Sequence, residues 1–124
     1  KGKDVTVLCY SGMVPLALEA SALAAQDGVS CSVVDLRTLK PFDRELVLSS
    51  VAATGRVVVC DVGWKSGGWG AEIMATIAEA GITLKTPPCR VALPDVPAGA
   101  ARTLEQAYYP TAQTILGVIR EMNA

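Results

Sequence analysis

An α/β fold, with a parallel sheet covered by helices on both faces, is the class this chain predicts, and three observations predict it. Strand-like and helix-like patterns alternate four times along 124 residues, which is how parallel strands joined by right-handed helical crossovers read. The run Val57, Val58, Val59, Cys60 is short, β-branched and uninterrupted, as expected of a strand buried on both faces. The stretch Arg56 to Glu72, which contains this run, passes on through Gly63, Gly67, Gly68 and Gly70 into a helical pattern, giving strand, loop and helix in turn. The length fits a single domain, residues 1–124, with enough buried surface for a proper core.

The elements follow in order. Asp4 to Tyr10 is the first strand; Ser11-Gly12 and Pro15 then open a helix over Pro15 to Gln26. Its leucines and alanines run nearly all the way round, so this helix is expected to be buried on most sides, and Asp27-Gly28 ends it. Ser30 to Leu36 is the second strand and leads into a charged corner, Asp35, Arg37, Lys40, Pro41 and Asp43. Asp43 is placed to cap a helix over Arg44 to Ala53, with Thr54-Gly55 as its stop. The valine run is the third strand. Ala71 to Ala80 is a third helix, Cys89 to Leu93 a fourth strand, and Pro94 to Pro97 opens a loop. Tyr108-Tyr109-Pro110 reads as a loop that sets up the last helix, Thr111 to Met122, whose apolar residues Ala112, Ile115, Leu116, Ile119 and Met122 share one face.

Composition excludes several functions. Half the residues are hydrophobic, 19% are charged and the net charge is -1, so neither disorder nor a nucleic-acid surface is expected. No apolar run reaches the roughly 20 residues that span a bilayer, so no membrane partner is expected. The start KGKDV has no signal-peptide pattern, and a cytoplasmic location follows as the expectation. The four cysteines, Cys9, Cys31, Cys60 and Cys89, form no C-x-x-C pair and read as buried small hydrophobes. The chain has no histidine, which removes Ser-His-Asp and Cys-His catalysis and every histidine-containing metal site.

In such folds ligands and partners meet the carboxyl ends of the strands. Here these are Ser11-Gly12, Asp35 to Asp43, Asp61 to Gly70 and Pro94 to Gly99. The glycine turn lacks the third glycine of a dinucleotide fingerprint, since Ile73 stands there, and it lacks the Gly-Lys-Ser/Thr of a phosphate loop. It remains either a tight turn that lets helix and strand pack closely or an interface built by Trp64, Lys65 and Trp69. Asp35 and Arg37 are spaced to pair with each other or with a neighbouring subunit. Asp61 and Glu72 are the carboxylates near the turn, and without a histidine or lysine partner at fixed spacing neither qualifies as a general base. No catalytic, cofactor-binding or metal-binding residue is assigned.

Three stretches together carry a resemblance: SGMVPLALEASALAAQDGVSCSVVDLRTLKPFD, TGRVVVCDVGWKSGGWGAEI and LPDVPAGAARTLEQAYYP. The corner DLRT-x-x-P-x-D and the turn GG-x-GAEI are specific as a pair. They resemble the C-terminal domain of transketolase-type enzymes, most of all that of the beta subunit of thiamine-diphosphate-dependent 2-oxo acid dehydrogenases of pyruvate, branched-chain or acetoin type. The resemblance implies a three-layer α/β/α sandwich on a mostly parallel sheet. It also implies an antiparallel edge strand and a pyrimidine-binding domain upstream of Asp4, both expected to be missing here, so that the chain is a domain of a longer protein. It further implies that this domain holds no cofactor, thiamine diphosphate and magnesium belonging to the parent enzyme, an oxidoreductase of a multienzyme complex. The implied partners are alpha and beta subunits and the subunit-binding domain of an acyltransferase, and the isolated domain is expected to be non-catalytic. Assembly contacts are placed at Arg37, Trp64, Trp69 and Glu72 from their position at the strand ends. Transketolase, or a related enzyme such as deoxyxylulose-phosphate synthase, is the nearest alternative, disfavoured by the missing histidine, and 2-oxo acid:ferredoxin oxidoreductases are more distant. From another class, a self-sufficient flavodoxin-like module binding an anion or a protein rests on the architecture alone.

Overall fold

A computed structural model describes residues 2–124. The elements are β1 (Val5–Cys9), α1 (Met13–Gln26), β2 (Cys31–Asp35), α2 (Arg44–Thr54), β3 (Val57–Trp64), α3 (Trp69–Glu79), β4 (Cys89–Leu93), α4 (Arg102–Tyr108) and α5 (Ala112–Asn123). The strands form one sheet in the order β2-β1-β3-β4, and every pairing is parallel.

Strand alternation divides the core between the two faces of the sheet. Val5, Val7 and Cys9 of β1 and Val58 and Cys60 of β3 face α1 and α5, where they meet Ala17, Ala20, Ala24, Ile115 and Ile119. Leu8, Val57 and Val59 face α2 and α3, where they meet Val47, Val51, Ile73 and Ile77. The result is the α/β/α sandwich that the sequence predicts.

Local details differ from the sequence reading in four places. First, α1 buries a single stripe, Met13, Ala17, Ala20 and Ala24, and leaves Leu18 56% exposed. Alanine on the outer face favours a helix as much as a buried alanine does, so its apolar count overstates burial. Second, β3 continues past Cys60 to Trp64, because Trp64 still registers with Leu93 of β4 across an irregularity and Lys65 N–H donates to the Leu93 carbonyl at 2.9 Å. Third, α3 starts at Trp69 rather than Ala71, and α4 lies within the stretch read as loop. Fourth, only Cys9 and Cys60 are fully buried, whereas Cys31 and Cys89, on the edge strands, are half-buried.

The α2 cap is as expected. The Asp43 carboxylate accepts from Leu46 N–H at 2.9 Å, and Gly55, at φ +70°, closes the helix in the left-handed region. Asp43→Ala is therefore expected to lose about 1 kcal/mol of stability in urea denaturation, with no change in the quaternary state.

Candidate functional site

At the carboxyl end of the sheet, the tail of β3 and the start of α3 are tied together by one buried side chain. Asp61 is 1% exposed. Its Oδ1 accepts from the Tyr10 hydroxyl and from Gly63 N–H at 2.8 Å, and its Oδ2 accepts from Gly70 N–H at 2.5 Å. The carboxylate thus joins the end of β1, the end of β3 and the first turn of α3, where a helix start favours negative charge. The glycines make this approach possible: a Cβ at Gly68 would lie 2.1 Å from the Trp64 carbonyl oxygen. The tight-turn reading of the glycine-rich stretch is met here. With these three donors already bound, Asp61 is a structural anchor and not a base presented to a substrate.

Burial, and then the Asp61 hydrogen bond and charge, raise the Tyr10 pKa above its ordinary value of about 10. A folded-state pKa above the unfolded one means that the contribution is fully present below pH ~10 and is lost as pH rises beyond it. The native chain is therefore expected to lose stability above pH ~10 more steeply than Tyr10→Phe, which carries no ionisable phenol at this position. Parallel stability–pH curves for the two proteins between pH 9 and 11 would refute this.

Trp69, the first residue of α3, is half-buried. Its ring stands edge-on to Tyr10 at 5.7 Å and 76° and to Phe42 at 5.3 Å and 89°. This joins the glycine turn to the corner after β2, and the two line one groove of about 810 Å³, with Leu39, Pro41, Phe42, Trp69 and Ala71 as apolar walls and Lys40, Arg44 and Glu72 as its charges.

Trp64 lies elsewhere. It is 57% exposed at the tip of β3, and its indole N–H donates to the Tyr108 hydroxyl of α4 at 2.9 Å. Beside it, Asp95 accepts from both the amide (2.9 Å) and the hydroxyl (2.6 Å) of Ser66, which hold its carboxyl pKa below the ordinary carboxylate range. Trp64, Ser66, Asp95, Val96 and Pro97 line a second, smaller concavity. The helix α4 next to it has no buried residue, and Leu104 is 59% exposed. Val96, exposed in the same concavity, and Leu104, one turn before Tyr108 on α4, extend an apolar platform around Trp64, of a kind that marks interaction surfaces. Arg37 stands apart from both: its side chain is 84% exposed, it pairs with Asp35 at 3.1 Å, and its backbone, at φ +58°, adopts a conformation uncommon for a non-glycine residue.

The structure thus brings Trp69 and Glu72 to one groove and places Trp64 and Arg37 on other surfaces. Sequence reasoning missed Tyr10 and Phe42 as the ring partners of Trp69, Lys40 and Arg44 as groove residues, and Asp61 as the anchor. The available signal was an aspartate two residues before one glycine and nine before another at a helix start.

Among the described residues no three His, Cys, Asp or Glu side chains are gathered closely enough to hold a metal ion. Burial, followed by the Asp35 charge, pushes the Cys9 thiol up to about 12, and burial also raises Cys60, so neither is a nucleophile at neutral pH. No helix of the described residues is long and apolar enough to cross a membrane.

Comparison with known proteins gives consistent findings. The family model described as "Transketolase, C-terminal domain" matches residues 1–115. The chain is 44% identical over 119 residues to pyruvate dehydrogenase E1 component subunit beta of Leifsonia xyli subsp. xyli, which takes in 95% of this chain and 35% of that protein. It is 40% identical over 121 residues to acetoin:2,6-dichlorophenolindophenol oxidoreductase subunit beta of Cupriavidus necator, over 97% of this chain and 36% of that one. A solved structure described as a split gene transketolase, inactive beta4 tetramer, superposes with a TM-score of 0.85 at 31% identity, over 98% of this chain and 40% of that one. The chain spans about a third of the length of these curated relatives.

Proposed function

Because the chain belongs to the transketolase C-terminal domain family, we propose that it is the C-terminal assembly domain of the beta subunit of a thiamine-diphosphate-dependent 2-oxo acid dehydrogenase. The observation that carries this reading is the 44% identity, over 95% of the chain, to part of a pyruvate dehydrogenase E1 beta subunit. In this reading residues 1–124 are one domain of a longer subunit, in a cytoplasmic multienzyme complex. Its partners are alpha and beta subunits and the subunit-binding domain of an acyltransferase. The parent enzyme decarboxylates a 2-oxo acid and passes the acyl group to a lipoyl group.

In this reading thiamine diphosphate and magnesium belong to the parent enzyme, and no site for them is assigned to this chain. At the strand ends Asp61 is engaged by Tyr10, Gly63 and Gly70, Asp35 by Arg37, Asp43 by the start of α2, and Asp95 by Ser66. These carboxylates are committed within the domain, and no catalytic step is assigned to it. The task we assign to it is to present surfaces, and the Trp64 platform is the surface best formed for a subunit contact.

A second reading, a transketolase divided between two genes, draws on the split gene transketolase structure at 31% identity. One experiment separates the two. This chain replaces the C-terminal domain of the Leifsonia xyli beta subunit, and the hybrid is co-purified with the cognate alpha subunit. The expected result is thiamine-diphosphate-dependent oxidation of a 2-oxo acid with a dye as electron acceptor, while the chain alone shows no turnover and no change in Tm with thiamine diphosphate and magnesium. A hybrid that folds but neither assembles nor turns over, or a coenzyme-dependent rise in the Tm of the chain alone, overturns the proposal.

A further inference from the structure

The corner after β2 and the glycine turn before α3 are remote in sequence and meet across a single groove of about 810 Å³. We propose that this groove docks an acidic protein segment with a large apolar side chain beside its carboxylates. The apolar part of the site is preformed: Trp69 and Phe42 are held edge-to-face, and Trp69 is held by Tyr10 as well, so little ordering remains to be done on binding. Pro41 completes the apolar wall. The volume lies within the range of recognition sites, and the groove is open to solvent rather than enclosed, which suits a chain segment better than an enclosed small molecule.

Charge selects the occupant. Lys40 and Arg44 are both exposed, and among the described residues neither has a carboxylate within ion-pair distance, in contrast to Arg37 and Arg120, which pair with Asp35 and Asp27. Against these two cations the groove carries one carboxylate, Glu72. The balance favours an acidic segment over a basic one. Glu72 comes from α3, whereas Lys40 comes from the corner and Arg44 from the start of α2, so the acidic groups are directed toward Lys40 and Arg44. The inference does not depend on the activity of the parent enzyme, so failure of the hybrid enzyme above would leave it standing, and the reverse also holds.

The test is calorimetry of the 124-residue chain with the N-acetylated, amidated peptide DDLFDD and with its asparagine counterpart NNLFNN. The acidic peptide is expected to bind saturably and at least about tenfold more tightly than the neutral one. Arg44→Glu is expected to weaken it by about tenfold and Glu72→Gln to tighten it by about twofold. Arg44 is the first residue of α2 and exposed, and an acidic residue is favourable at a helix start, so an unchanged Tm is the control for folding. Absence of saturable binding, equal affinity for the two peptides, indifference to both substitutions, or phenylacetate binding as tightly as the peptide would each overturn the proposal.

Discussion

Asp61→Ala is expected to destabilise the chain by about 3–4 kcal/mol, because it leaves the half-buried Tyr10 hydroxyl, the half-buried Gly63 amide and the buried Gly70 amide without their acceptor. The loss is larger than that of an ordinary hydrogen bond, since desolvated donors without an acceptor cost more than a satisfied pair contributes. It also detaches the first turn of α3 from β3 and so loosens the support of Trp69. Asp61→Asn retains a carbonyl acceptor and is expected to lose about half as much. Urea denaturation followed by circular dichroism measures both, and a loss below ~1 kcal/mol for the alanine variant would show that the carboxylate does not hold the two elements together.

The two tryptophans are expected to separate cleanly. Trp69→Ala removes a half-buried indole packed edge-on against Tyr10 and Phe42 and is expected to cost about 3 kcal/mol. Trp64→Ala removes an exposed indole whose bond is to Tyr108 on a helix with no buried residue, and is expected to cost no more than about 1 kcal/mol. Its effect belongs to association instead: an exposed tryptophan on an apolar surface is a residue whose truncation weakens a contact strongly, here by tenfold or more. Equal destabilisation by the two substitutions would place Trp64 in the core and remove the platform from the account.

The fold was legible because burial on both faces of a parallel sheet leaves a strong mark. The run Val57 to Cys60 is apolar throughout, Val7, Val33 and Val91 sit in strands that are apolar in the main, and the helices between them carry caps such as Asp43 and stops such as Gly55. The site was legible only in part. Trp69 and Glu72 were singled out from the strand-end position of their turn, but their neighbours Phe42 and Lys40, from the corner, and Arg44, from the start of α2, lie more than twenty residues upstream, and no local pattern states that two loops share a groove. The extension of β3 to Trp64 was hidden because glycine at position 63 reads as a turn, whereas the pairing with Leu93 continues the strand. The α4 helix went unseen because its residues bury nothing, and the periodicity that reveals helices is a periodicity of burial.

The most direct test of the assembly role is sedimentation velocity of the hybrid beta subunit carrying this domain, mixed with its alpha subunit, in the native and Trp64→Ala forms. The account predicts that the native hybrid sediments as a full alpha–beta assembly, and that Trp64→Ala shifts the midpoint of assembly to at least about tenfold higher concentration at an unchanged Tm. Identical assembly curves for the two forms, at equal Tm, would contradict it.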